Sequence, residues 1–274
     1  MDSKQTSKFH YPADISLSKS PLLEAWLEIR WKLTPSTIEG FETDSYYPMA
    51  LGIFYNSVKA DFGSHIELPA GKTPEFMIPY FVQHQFRPTT DAWPLLQLGP
   101  GIATVNFTTP YSWHDFKDKA LYLRQKLINA YDGNELKTQA LNLRYRNGIP
   151  FQFSNSDLLA FLRDNLNLSI SMPVDLPSFI AEKQFPSDYT MIMNYPLSKP
   201  NGKGQIQVGT AKNKISQEEL LIWEIQVTSV NDQAPDIKNA DNFDHWLDDA
   251  HAVIHEWFFS LVQGKLFDQF TKGE

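Results

Sequence analysis

The stretch Ala25–Lys32, AWLEIRWK, returns later in the chain as Ala140–Arg146, ALNLRYR. Both copies alternate strictly. Leu27, Ile29 and Trp31 point one way and Glu28, Arg30 and Lys32 the other. In the second copy Leu141, Leu143 and Tyr145 oppose Asn142, Arg144 and Arg146. Period two with bulky residues on one side marks a half-buried strand. The apolar face needs a covering layer, most simply helices on one side of the sheet. The polar face is left for solvent, for the other half of the molecule or for a ligand.

A second echo agrees with the first. Trp113-His114-Asp115-Phe116, then Ala120, Leu123 and Leu127, matches Phe243-Asp244-His245-Trp246, then Ala250, Val253 and Trp257. Each set has bulky residues at helical spacing and a small residue where helices pack closely. The helix echo is offset further than the strand echo, as an insertion in the second half would produce. Together the echoes predict an internally duplicated chain.

The remaining signals fill in the elements. Leu22–Leu33 reads as a strand stopped by Thr34-Pro35. A helix carrying Ala50, Phe54, Val58 and Phe62 follows, capped by Asp44 or Ser45, with Pro48 in its first turn. Ser64–Pro79 reads as loop. Tyr80–Arg87, Ala92–Leu98 and Ile102–Thr108 read as strands, the last two joined by Gly99-Pro100-Gly101. Trp113–Ala130 is a helix capped by Ser112, with Gly133 beyond it. The second half repeats the order. Its strand is Lys137–Asn147, and a short helix ends near Asn165. Leu168–Pro186 is an extended loop, and a hairpin turns at Asn201-Gly202. Glu219–Val230 is a long strand. The helix Asn242–Gln263 follows, with Leu266–Phe270 packing back onto the body.

The fold expected is α+β: duplicated β-α-β(3)-α units forming a broad antiparallel sheet with helices on one face, in the manner of TATA-binding-protein-like or helix-grip folds. Residues 1–20 read as a flexible arm, 21–133 as the first repeat and 134–274 as the second, the two repeats forming one compact unit.

Hydrophobic residues make up 42% of the chain, enough to build a sizeable core. The net charge of −8 argues against a nonspecific nucleic-acid binder, which needs a basic surface to displace counterions. The absence of cysteine excludes a disulfide framework, a Cys-based zinc site and a thiol nucleophile. The first residues carry no apolar signal segment and no run is long enough to span a membrane, so a soluble cytoplasmic protein is expected.

Three short motifs run through the chain: Pro21–Trp31, Leu143-Arg144-Tyr145-Arg146-Asn147, and His251–Phe258 with His251, His255, Glu256 and Phe258. In these the sequence resembles a sporadically distributed bacterial family without assigned activity. The resemblance implies a bacterial soluble protein of about this size and supplies no catalytic residues.

The polar sheet face is the leading candidate site. Alternation places Glu28, Arg30, Asn142, Arg144, Arg146, Glu224 and Gln226 there, with Gln83, Gln85 and Arg87 as further members. Arginine forks suit carboxylate or phosphate; equally, these residues could pair with one another across strands. This face predicts a binding or interaction module whose partner is a protein, including a second copy of the chain. The alternative is a metal-dependent enzyme centred on His251 and His255, one turn apart, with Asp248 near enough to complete a site. Those histidines could instead bond sheet residues from the helix underside. A third reading is local nucleic-acid binding through the arginines. No motif specifies a cofactor. Gly99-Pro100-Gly101 and Asn201-Gly202-Lys203-Gly204 are turns, not phosphate loops, and no Gly-x-Ser-x-Gly elbow occurs. Tyr46-Tyr47 and Trp257-Phe258-Phe259 read as core or as an oligomer seam.

Overall fold

Alternation becomes burial in the first strand. In a computed structural model that describes residues 17–36, 39–73, 77–132, 136–171, 188–214 and 216–271, Ala25, Leu27 and Ile29 have no exposed surface, while Trp26, Glu28 and Arg30 between them are half-buried. In chain order the elements are β1 (Leu22–Trp31), β2 (Thr34–Pro35), β3 (Glu42–Thr43), α1 (Tyr47–Val58), β4 (Ser64–Glu67), β5 (His84–Arg87), β6 (Leu95–Gly99), β7 (Ile102–Phe107) and α2 (Trp113–Ala130). There follow β8 (Thr138–Pro150), α3 (Leu158–Asn165), β9 (Thr190–Ser198), β10 (Asn201–Lys212), β11 (Glu219–Val230), α4 (Ala240–Val262) and α5 (Lys265–Thr271).

Nine strands form a single antiparallel sheet in the order β4-β5-β6-β7-β1-β8-β11-β10-β9. The first half of the chain thus supplies one side and the second half the other, and they meet where β1 pairs with β8. Leu27 sits between Val105 of β7 and Leu143 of β8. A one-residue slip would turn every apolar side chain to the wrong face, so the register is strongly set. The helices cover the face carrying these apolar residues. Phe54 of α1 packs on Phe86 of β5, with ring centroids 5.4 Å apart. Phe116, Ala120, Leu123 and Leu127 of α2 are all fully buried, and Ser112 caps the helix by accepting from the Asp115 amide at 3.1 Å.

Several expectations change. Asp44 is not a helix cap, for α1 starts after Tyr46 without a side-chain cap. Asp44 is instead a buried hub. Its Oδ2 accepts from Trp31 Nε1 at 2.8 Å, the Tyr131 hydroxyl at 2.7 Å and the Gly101 amide at 3.1 Å. It thereby ties β1, the β6–β7 turn and the end of α2 together. Ser64–Pro79 is not all loop, since β4 pairs there with β5. β5 begins at His84 instead of Tyr80; residues before it cross so close to Gly99 that a Cβ there would meet the Phe81 carbonyl. The β9–β10 hairpin turns at Lys199-Pro200, with Ser198 paired to Asn201, so Asn201-Gly202 lies inside β10. On α4 the buried stripe is Phe243, Leu247, Ala250 and Ile254, whereas Val253 and Trp257 are only partly buried. Trp257 lies over Gly204 of β10, where only glycine leaves room for the ring. The proposed arm falls mostly outside the described residues, as do Gly133 and most of Leu168–Pro186. Lys19 and Ser18, at the start of the described chain, both bond to the Phe270 carbonyl of α5 at 3.0 Å, and Leu266 and Phe270 are buried, so α5 does pack back.

Candidate functional site

On the sheet face away from the helices, the residues singled out by alternation do come together. They are engaged with one another. Glu28 and Arg30 form an ion pair at 2.8 Å on β1. Glu224 of β11 receives Arg144 at 3.0 Å and Arg146 at 3.2 Å, both from β8. Both guanidinium groups also lie over the Trp26 ring, at 4.2 and 5.3 Å from its centroid. Asn142 is buried and accepts from Thr228 at 3.4 Å, which in turn accepts from Gln226 at 2.8 Å. Toward the other edge Asn106 donates to Glu24 at 2.8 Å, and Thr104 links Asn106 to Gln97. Gln85 accepts from Gln97 at 3.5 Å, Arg87 turns to the Ala92 carbonyl, and Gln83 is buried outside β5.

The Glu224 carboxylate is 12% exposed and neutralises two arginines, so it lies between a surface pair of little worth and a buried one. Glu224→Ala is expected to lower stability by about 2 kcal/mol, measured by chemical denaturation. No loss would show that Trp26 alone holds the arginines.

The helix-covered face contains a cavity of about 730 Å³. It lies where the N-terminus of α2 and the middle of α4 cross over β1 and β8. Its walls are mainly apolar and aromatic, among them Trp113, Ile254, Phe258 and Phe259. A volume of this order is typical of small-molecule sites. Exposed Ser20 and His114 mark the side on which it opens.

A small polar cluster interrupts the apolar wall. Tyr145 and Asn147 extend the core-facing series of β8, and both line the cavity. The Tyr145 hydroxyl bonds the Tyr111 hydroxyl on one side and His251 Nδ1, at 3.2 Å, on the other. The Trp113 ring lies parallel to the His251 imidazole, centroids 3.9 Å apart, and fixes its plane. Among the described residues, His251 Nε2 and Asn147 Nδ2 are buried without a hydrogen-bond partner. Burial, reinforced by His255 nearby, pushes the His251 imidazole down to about 3. Burial pushes both phenols up. At neutral pH the three groups are therefore a chain of uncharged donors and acceptors.

The two histidines proposed as metal ligands both line this cavity, with ring centroids 5.8 Å apart. Asp248, the carboxylate one turn earlier, bonds Lys117 of α2 at 2.9 Å, as does Asp244. Among the described residues no group of three or more His, Cys, Asp or Glu side chains could hold a metal ion.

Sequence reasoning flagged His251 and His255 but missed Tyr111, Tyr145 and Asn147 as a site. One signal was available for Asn147. It occupies a core-facing position in a strand whose neighbours there are Leu141, Leu143 and Tyr145. Tyr111 precedes α2 in an irregular segment and carried no periodic signal.

No family model and no curated protein matches the chain. Among solved structures, DynU16, a protein in the dynemicin biosynthetic locus, aligns over 84% of this chain and 97% of its own, with 10% sequence identity and a TM-score of 0.22. A likeness that slight carries no argument. Within the described residues the chain is an α+β protein with a nine-stranded antiparallel sheet, and no described helix is long and apolar enough to cross a membrane.

Proposed function

We propose that this chain is a binding module that holds a small, mainly apolar molecule between its helices and its sheet. The cavity of about 730 Å³ carries this reading, because it combines aromatic walls with a few convergent polar groups. The sheet face, proposed from sequence as the binding surface, is assigned to the scaffold: Arg30, Arg144 and Arg146 already have carboxylate partners there.

The test is a fluorescence titration with N-phenyl-1-naphthylamine, an uncharged apolar reporter. Saturable 1:1 binding is expected. Ile254→Trp, which intrudes on the cavity, is expected to weaken it, and Arg144→Ala to leave it unchanged. No saturable binding would overturn the proposal. So would binding undiminished by Ile254→Trp and lost in Arg144→Ala, which would return the site to the sheet face.

Duplication belongs to the same proposal. The echo matches Glu28 to Asn142, and these two residues are themselves partners in the β1–β8 ladder. A pseudo-twofold passing between them would relate the halves. The matching order of strands and helices outward from that seam supports it, β4 being an addition to the first half.

A further inference from the structure

The walls of the cavity say more than its size. Among the described residues that line it there is no Asp, Glu, Lys or Arg. Three of the charges on the two covering helices are spent on one another, Lys117 of α2 bridging Asp244 and Asp248 of α4 at 2.9 Å each. A charged molecule entering would lose its hydration without gaining a counterion, a cost of several kcal/mol per ion even after relaxation. An uncharged molecule faces no such penalty.

The cavity is not uniformly apolar, however. In the chain Tyr111–Tyr145–His251 each group can donate or accept. Whichever way the chain is oriented, one end keeps a proton to give and the other a lone pair to fill. If Tyr145 donates to His251 Nδ1, then the neutral ring carries its proton on Nε2, the buried nitrogen that has no partner among the described residues. Asn147 adds an amide donor that likewise lacks one. Unsatisfied buried donors are expensive, and a small rotation that brings them to a ligand oxygen in the cavity would remove that cost. The aromatic rings around this cluster favour a flat molecule able to stack on or edge against them.

Resting on the cavity as the binding site, we infer that the ligand class is an uncharged, planar aromatic molecule bearing a neutral oxygen, a carbonyl or hydroxyl, which docks on the Tyr145–His251–Asn147 end.

The experiment is competition against bound N-phenyl-1-naphthylamine at pH 7.5 with three molecules of one ring system: naphthalene, 2-naphthol and 2-naphthoate. The expected order is 2-naphthol tighter than naphthalene by about threefold to tenfold, with 2-naphthoate at least about tenfold weaker than 2-naphthol. In the double variant Tyr145→Phe, Asn147→Leu, the ratio of 2-naphthol to naphthalene affinity is expected to fall to about one, whatever the affinity of either for the altered cavity. Naphthoate competing as well as naphthol would overturn the requirement for neutrality. Naphthol no better than naphthalene in the unaltered protein would overturn the assignment of the polar end. Both results leave the cavity as the site. Failure of the reporter to bind at all would instead overturn the cavity reading together with this inference. The ligand series on the unaltered protein stands whether or not the double variant folds.

Discussion

Asp44→Ala is expected to destabilise the fold by about 3–5 kcal/mol, the largest effect of any single substitution considered. The carboxylate is 6% exposed and one of its oxygens accepts from Trp31, Tyr131 and Gly101. Its removal leaves an indole N–H, a phenol and a backbone amide buried without partners, each costing about 1–3 kcal/mol where water cannot reach. The Trp31 and Tyr131 rings meet edge to face at 5.1 Å and will not open readily to admit solvent. Asp44→Asn keeps an acceptor oxygen and is expected to lose less than half as much. Equilibrium denaturation of the two variants checks this. Equal losses would mean that the site responds to the charge, not to the donors it satisfies.

The second large effect is a loss of stability in acid governed by His251. In the folded protein burial holds this imidazole near 3, whereas in an unfolded chain histidine titrates near 6.5. Above about 6.5 neither state binds the proton and the contribution is fully present. As the pH falls from there toward 3, the unfolded chain takes up a proton that the folded chain refuses, and stability declines. Each unit of difference is worth about 1.4 kcal/mol, so the loss across the window is on the order of 5 kcal/mol. Among the described residues the groups against the ring are Tyr145, Trp113 and His255, none of them anionic in this range. His251→Gln is expected to flatten the stability profile between pH 6 and 4. Parallel profiles for the variant and the parent protein would show that other groups set the acid limit.

The three alternating strands were the most readable part of the fold. Period two is imposed by the pleat itself, and it located β1, β8 and β11, with the ends of β11 placed at Glu219 and Val230 as observed. Helix α2 was equally clear, because Ser112 supplies a local cap and Ala120 the close-packing position. Legibility failed where tertiary contacts outweigh local signals. Asp44 has the composition of a cap, but three donors from elements distant in sequence claim its carboxylate. Val253 and Trp257 follow the pattern of α2, yet α4 is rotated so that Ile254 faces inward and Trp257 meets Gly204. Alternation set the face of Glu28, Arg30, Asn142, Arg144, Arg146 and Glu224, whereas Gln83 falls outside β5 and follows no strand period. That they would pair with one another depended on which strands become neighbours, and no short motif encodes that. The cavity was hidden for a related reason. It is made where α2, α4, β1 and β8 diverge, and a gap between elements has no sequence of its own. Only its histidines stood out, and their chemistry suggested a metal.

The pairing of β1 with β8 at the middle of the sheet also sets an order of events during synthesis. Leu27 and its partner Leu143 are 116 positions apart in sequence, which places the structure among those whose non-local contacts slow folding. As the chain leaves the ribosome, β1 can pair with β7 once the first half has emerged, but its other edge then waits for β8. That edge carries unpaired backbone groups beside a wholly apolar row, the arrangement most apt to recruit a neighbouring chain. The interval between the emergence of β7 and that of β8 is therefore the moment at which a nascent copy is most exposed to misassembly, and slowing translation just before Thr138 would lengthen it.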